Sequence, residues 1–428
     1  MLAKFFLFRE RNTNFQTESL AGLTTFLTMG YIMFVNPAIL SEAGMDKQAL
    51  IAVTCIISAL STILMGIFGK VPIALAPGMG LNAFFAYTLV IGKGIPWQTA
   101  LGMVFLAGVA FLLLSLTGAR EKFIQSIPKS LVTAIAAGIG FFLLFIGFKN
   151  MGLVVAHPAT LVQLASFSPE SMIGIATLMF TVWLMIANIK GALLIGIVGA
   201  TLASILLGYT PMPETWISPN VDISPIAFQM DLKDALQWTY IGPIFALFFV
   251  DMFDTIGTLV ACSLEAKLEK KDGSIERIRP MLLVDAAATT ASGLLGTSPT
   301  TAFVESTTGI TAGGKTGFTS VVTGLLFLLG LVFIPVIGIV PAYATAPSLI
   351  IVGVLMISQM KSLPFGDMEE FFPAVITIGT MVFSFQIAAG ISMGFLSWGI
   401  IKMLRGKFAE IPWIMYIVMA LSALNLSI

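Results

Sequence analysis

Apolar runs recur from one end of the chain to the other, each closed by a charge, a proline or a glycine. Most are long enough for a helix that crosses a ~30 Å hydrocarbon core, which takes about 20 residues. The runs place spans near 18–38, 49–68, 72–91, 97–118, 129–148, 171–189 and 191–208, then near 240–262, 281–296, 299–314, 318–338, 345–361, 371–388 and 390–404. The pattern predicts an all-α polytopic membrane protein of about fourteen transmembrane helices in two sets of seven. The divisions are a cytoplasmic N-terminal segment over 1–17, a first set over 18–208, an external linker over 209–239, a second set over 240–404 and a hydrophobic segment over 405–428. Ile411 to Ile428 reads equally as a fifteenth span or an interfacial helix. Met1 to Glu18 mixes short apolar patches with charge and has no small-residue cleavage site, so it reads as a cytoplasmic lead-in.

Composition sharpens the picture. With 57% hydrophobic and 10% charged residues, the chain lies far from the roughly 25% charged residues of soluble domains. Lys+Arg 22 balance Asp+Glu 22, so no positive excess exists to follow nucleic acid. With the N-terminus inside, eighteen Lys and Arg, Arg120, Lys122 and Lys271 among them, fall on the cytoplasmic side, against Lys47, Lys93, Lys149 and Lys233 outside. Positively charged loops stay cytoplasmic, so the asymmetry predicts an N-in protein of the plasma membrane. Cys55 and Cys262 both fall inside apolar runs and frame neither a disulfide scaffold nor a metal site. Neither metal nor cofactor is expected.

Seven is odd, so two successive sevens sit in the membrane with opposite orientation, as inverted repeats do. The third member of each set is interrupted. Span three carries Ala76-Pro77-Gly78-Met79-Gly80-Leu81-Asn82 and span ten begins Ser298-Pro299-Thr300-Thr301 before Glu305-Ser306. Interrupted segments at corresponding positions of two halves point to a substrate site, because their free N–H and C=O groups can face a polar ligand. Pro77, Gly78, Gly80 and Pro299 are the candidate breaks, and the Asn82 amide offers both donors and an acceptor. Asn82 reads also as ordinary helix-to-helix hydrogen bonding.

Span eight holds Asp251 and Asp254 one helical turn apart, and span ten adds Glu305. A carboxylate at the bilayer centre costs about 2.5–3.5 kcal/mol on insertion scales, so such residues mark ligand or ion pathways by default. Asp254, like Asp285 in span nine, reads equally well as a carboxylate bonded to a neighbouring helix. Two carboxylates on one helix do not make the convergent dyad of an aspartyl protease, whose members share a proton about 3 Å apart. An enzyme is therefore not expected. Gly309 to Thr316 fits the G-x-x-x-x-G-K-[ST] phosphate-loop pattern, yet no hydrophobic strand or soluble nucleotide domain surrounds it. A glycine turn is the better reading. The lone His157, in a loop expected outside, is given no role.

Three motifs together, Ala76 to Phe85, Val250 to Gly257, and Gly296 to Ser298 with Thr301 to Gly309, resemble the AzgA-like purine permeases of the nucleobase:cation symporters along essentially the whole chain. The resemblance implies a core and a gate domain, a homodimer, and a ligand held between spans three, eight and ten. It implies proton-coupled uptake of hypoxanthine, guanine or adenine. By motif position, Asp251 and Glu305 match the ligand-binding acids, Asn82 the span-three amide, and Phe303 the side chain along the base. One departure is Thr301-Ala302-Phe303 ahead of the span-ten acid.

The residue chemistry suits a purine independently. An ionised carboxylate accepts from ring N–H groups, backbone N–H groups or Asn82 suit a carbonyl, and Phe303 suits a flat ring face. Proton coupling follows if Glu305, Asp251 or Asp254 takes up a proton with the ligand. The alternatives are a carrier of another nucleobase, such as xanthine or uracil, or of an anion. A channel is a further possibility, which saturable uptake excludes. Membrane acids repel an anionic ligand.

Overall fold

The computed structural model describes residues 2–117, 126–218, 221–270 and 275–427. Arg120, Lys122 and Lys271 of the charge count lie outside them, as do Met1, Ile428 and the end of the fourth apolar run.

Some helix falls within each predicted span, although 72–91 and 299–314 begin as extended chain and the second of them holds only a six-residue helix. The first half contains α1 (Phe15–Met29), α2 (Ile32–Ser41), α3 (Lys47–Leu64), β1 (Leu75–Pro77), α4 (Met79–Ala83), α5 (Trp97–Thr117), α6 (Lys129–Asn150), β2 (Val154–His157), β3 (Leu161–Leu164), α7 (Pro169–Ile186) and α8 (Ala192–Leu206). The second contains α9 (Ile241–Glu265), α10 (Ile278–Leu295), β4 (Thr300–Ala302), α11 (Ser306–Thr311), α12 (Gly317–Gly330), α13 (Ala342–Ile357), α14 (Met368–Ser384), α15 (Ile387–Leu404) and α16 (Trp413–Ser427). Among the described residues nine helices are long and apolar enough to cross a bilayer. The α16 helix, within the segment left open by its composition, is a shorter apolar helix, as is α8.

Two boundaries differ from the sequence reading. The run taken as 371–388 ends early, because Phe385 adopts a left-handed φ of 56° and Ile387 starts α15. Its ring packs edge-on against Phe142 and Phe145, which holds a conformation unfavourable for a bulky residue. An apolar residue at the break leaves no mark in the composition. The lead-in is shorter than Met1 to Glu18: α1 begins at Phe15, capped by Asn14, and Glu18 is completely buried. Phe6 and Phe8 are buried too, with their rings edge-on to Phe318.

Packing divides the helices into two groups. In one, α1 and α3 pack on α12, α5 packs on α9 and α10, and α11 lies against α1. In the other, α6 packs on α13 and α14, α14 on α15, and α7 on α8 and α13. Close approach needs small residues: a Cβ on Gly140 of α6 would lie 2.7 Å from the Gly353 carbonyl of α13, and one on Gly353 would lie 2.6 Å from that of Gly140.

Candidate functional site

The interruptions in spans three and ten solve one problem together. Backbone unwound at membrane depth has no water to bond, so each N–H and C=O needs a protein partner. The extended pieces β1 and β4 pair antiparallel, with Leu75 opposite Ala302, Ala76 opposite Thr301 and Pro77 opposite Thr300. Gly78 N donates to Pro299 O at 3.0 Å and Phe303 N to Ala74 O at 2.9 Å, closing both ends of the ladder. Side chains finish the accounting. Thr62 Oγ1 donates to Leu75 O and accepts from Leu75 N, and Ser306 Oγ accepts from Ala74 N. From this crossing the half-helices α4 and α11 start, the first continuing as a wider π-helix over Phe84–Gly92.

A cavity of about 320 Å³ opens beside the crossing. Its polar wall is made by Tyr31, Gly78 to Gly80, Asp254, Thr258 and Thr301 to Glu305, and its opposite wall by Val132, Ile135, Ala136 and Ile139 of α6 with Val352 and Met356 of α13. One wall therefore comes from each packing group. Tyr31 donates to Glu305 Oε1 at 2.6 Å, and Thr301 Oγ1 donates to Asp254 Oδ2 at 3.2 Å. Each of these bonds engages one carboxylate oxygen, Oε1 of Glu305 and Oδ2 of Asp254.

The sequence candidates separate here. Glu305, Phe303, Asp254, Gly78 and Gly80 line the cavity; Asp251, Asn82, Pro77 and Pro299 do not. Asp251, fully buried one turn before Asp254, accepts at Oδ2 from Thr289 Oγ1 of α10 at 3.0 Å. Thr289 Oγ1 also lies 3.0 Å from Thr300 O, so Asp251 sits behind β4. Asn82 accepts at Oδ1 from Ser298 Oγ and thereby joins the two interrupted spans. Asp285 accepts from Thr255 Oγ1 at 2.8 Å, a bond between α10 and α9. His157 lies in the β2–β3 hairpin, where Nδ1 meets Thr160 Oγ1 at 3.0 Å.

Tyr31 was not among the sequence candidates. A tyrosine in an apolar run reads as packing, and its role depends on a contact 274 residues away. The usable signal was the uneven span around it, with Gly30 before it and Asn36-Pro37 after. At Gly30 and Tyr31 the chain passes from α1 to α2 through a turn that keeps right-handed helical backbone angles, and Tyr31 lines the cavity.

The Permease family model (Xan_ur_permease) matches residues 16–393, which takes in all four cavity-lining interrupted or acid-bearing segments. The chain belongs to this family. Relatives of full length give it a finer place. It is 40% identical over 427 residues to the adenine permease AdeP of Escherichia coli (strain K12), covering 100% of this chain and 96% of AdeP. It is also 40% identical over 424 residues to the guanine/hypoxanthine permease PbuG of Bacillus subtilis (strain 168), covering 96% of each. The Permease-family chain is thus an AzgA-like purine permease, an integral membrane transporter and not an enzyme. Solved structures agree on the fold. The transmembrane domain of the cyanobacterial bicarbonate transporter BicA superposes with a TM-score of 0.66 at 16% identity, over 88% of this chain and 97% of that one. Murine Slc26a9, an anion transporter in the inward-facing state, gives 0.66 at 11% identity, over 92% and 69%.

Proposed function

We propose that the chain carries purine nucleobases, hypoxanthine, guanine and adenine, into the cell by proton symport. The observation that carries this reading is the placement of Asp254 and Glu305 on one cavity, with Phe303 lining it two residues before Glu305 and apolar residues of α6 and α13 on its wall. Two carboxylates offer acceptors to the ring N–H groups of a purine, Phe303 offers an aromatic surface, and the α6 and α13 side chains cover the remaining faces. A volume of about 320 Å³ fits the small end of ligand cavities. The carboxylate that takes up the proton is Glu305 or Asp254, both on the cavity. Asp251 contributes by holding β4 through Thr289. An anion is disfavoured by the same two acids.

The two packing groups act as core and gate. Spans one to four and eight to eleven form the core, spans five to seven and twelve to fourteen the gate, and the two seven-span sets, 18–208 and 240–404, are inverted repeats joined by the linker 209–239. The antiparallel pairing of β1 with β4, each leading into a half-helix, supports that symmetry. Movement of the α6 and α13 wall past the core opens the site alternately to each side. The same reading gives a homodimer in the plasma membrane with a cytoplasmic N-terminus.

The experiment is uptake of radiolabelled hypoxanthine in cells without their own purine carriers, with unlabelled adenine, guanine, xanthine, uracil and bicarbonate as competitors. Purines should compete, and collapsing the pH gradient should stop accumulation. Competition by uracil or bicarbonate alone, or accumulation that follows sodium, would reject the reading.

A further inference from the structure

The phosphate-loop-like stretch Gly309 to Thr316 contains an anion nest, and the nest is already filled. After α11, Gly313 turns the chain at a φ of 109°, so that the next peptide groups aim toward α1. Lys315 N donates to Glu18 Oε1 at 3.0 Å and Thr316 N to Glu18 Oε2 at 3.2 Å. Thr316 Oγ1 and Thr319 Oγ1 add bonds to Oε2 at 2.8 and 2.6 Å. Successive N–H groups with hydroxyls form the kind of concavity that binds phosphate oxygens. Here the occupant is a carboxylate of the same chain, 0% exposed. The lysine that would reach a phosphate turns away, with Lys315 Nζ bonded to Asn12 O at 3.3 Å.

The nest lies just beyond the C-terminal end of the half-helix whose N-terminal end carries Glu305. Two contacts tie that half-helix to α1 and its continuation, Tyr31 to Glu305 at one end and Thr28 Oγ1 to Thr308 Oγ1 at 2.8 Å in the middle, and Glu18 fixes the turn that follows it, at Lys315 and at Thr316, the N-cap of α12. Steric fit adds to them, since a Cβ on Gly309 would stand 2.0 Å from Thr25 Oγ1. A six-residue helix has too few internal bonds to hold its own register. Its position is therefore set by what grips it.

We propose that Glu18 is a positioning residue for transport, an internal anion that seats the Glu305 half-helix against α1 so that the acid keeps its place on the cavity. This rests on Glu305 being a base ligand.

The test uses the full-length protein in membranes, with Glu18→Gln as the variant that keeps side-chain shape. The amide offers one acceptor where four donors converge, and its NH2 opposes them. One readout is the rate of disulfide formation between Thr28→Cys and Thr308→Cys, introduced with and without Glu18→Gln, at the positions whose hydroxyls lie 2.8 Å apart. The second is the split between KM and Vmax for purine uptake, normalised to transporter in the membrane. The expected result is cross-linking slowed several-fold and KM raised roughly tenfold, the size of a lost charge-assisted hydrogen bond, with Vmax little changed. Undiminished cross-linking would overturn the proposal, and so would slowed cross-linking with a wild-type KM. A Glu305→Gln control with wild-type uptake would instead remove the base-site reading, while the cross-linking result still judges whether Glu18 seats the half-helix.

Discussion

Tyr31 and Glu305 meet on one wall of the cavity at 2.6 Å, one at the turn between α1 and α2 and the other at the start of the tenth span's half-helix. The phenol donates to Oε1 and leaves Oε2 for another partner. A carboxylate that would otherwise swing through several rotamers is thereby fixed before the ligand arrives, which lowers the ordering cost of binding.

Tyr31→Phe removes the donor and keeps the ring. Hydrogen bonds to charged groups are worth about 1.5–3 kcal/mol, so purine KM should rise roughly ten- to a hundredfold while Vmax changes far less. Initial-rate uptake over a range of concentrations measures both. An unchanged KM would mean that the phenol does not prepare Glu305.

The two span-eight acids should part company. Asp254→Asn alters the cavity and should abolish measurable uptake with normal amounts of folded protein. Asp251→Asn alters a buried bond behind β4, and should lower the melting temperature of the purified protein more than its purine affinity. Thermal unfolding and binding measured on both variants decide this; the opposite assignment would place the ligand on the α10 side.

Gly80 faces Ile139 of α6. A Cβ there would lie 2.7 Å from Ile139 Cγ2, so Gly80→Ala should wedge the half-helix against α6 and cut Vmax several-fold. Adding Ile139→Ala removes the clashing atom and should restore the rate. Failure of the double variant to recover would show that the glycine serves the backbone and not the gap.

Far from the cavity, Lys402 gathers Glu369 at 3.2 Å, Glu410 at 3.3 Å and Glu370 at 3.6 Å, and is itself buried. Lys402→Met takes the ammonium from Glu370 and Glu410, while Glu369 keeps Arg405 at 2.7 Å and Lys407 at 3.0 Å. The variant should unfold at a clearly lower temperature, and an additional Glu410→Gln should recover part of the loss.

What the sequence makes legible follows the cost of burying polar groups. Spans, interruptions and membrane acids stand out because each charge or proline in an apolar run is expensive, so they could be found without contacts. The facing of Asp251 and Asp254 could not. They are three residues apart on one helix, and only the positions of Thr289 and Thr301 on other segments tell which one reaches the cavity. Tyr31 and Glu18 escaped for the same reason, since a phenol among apolar residues and a carboxylate at a helix start look ordinary until their distant partners are known. The helix end at Phe385 has neither glycine nor charge to mark it.

Direct binding to purified transporter tests the central claim most closely. Calorimetric titration of hypoxanthine and adenine into the wild-type protein, Glu305→Gln and Asp254→Asn should show saturable binding of a purine to the first and at least a hundredfold weaker binding to each variant. Wild-type affinity in both variants, with the proteins folded, would contradict a base held by these two acids.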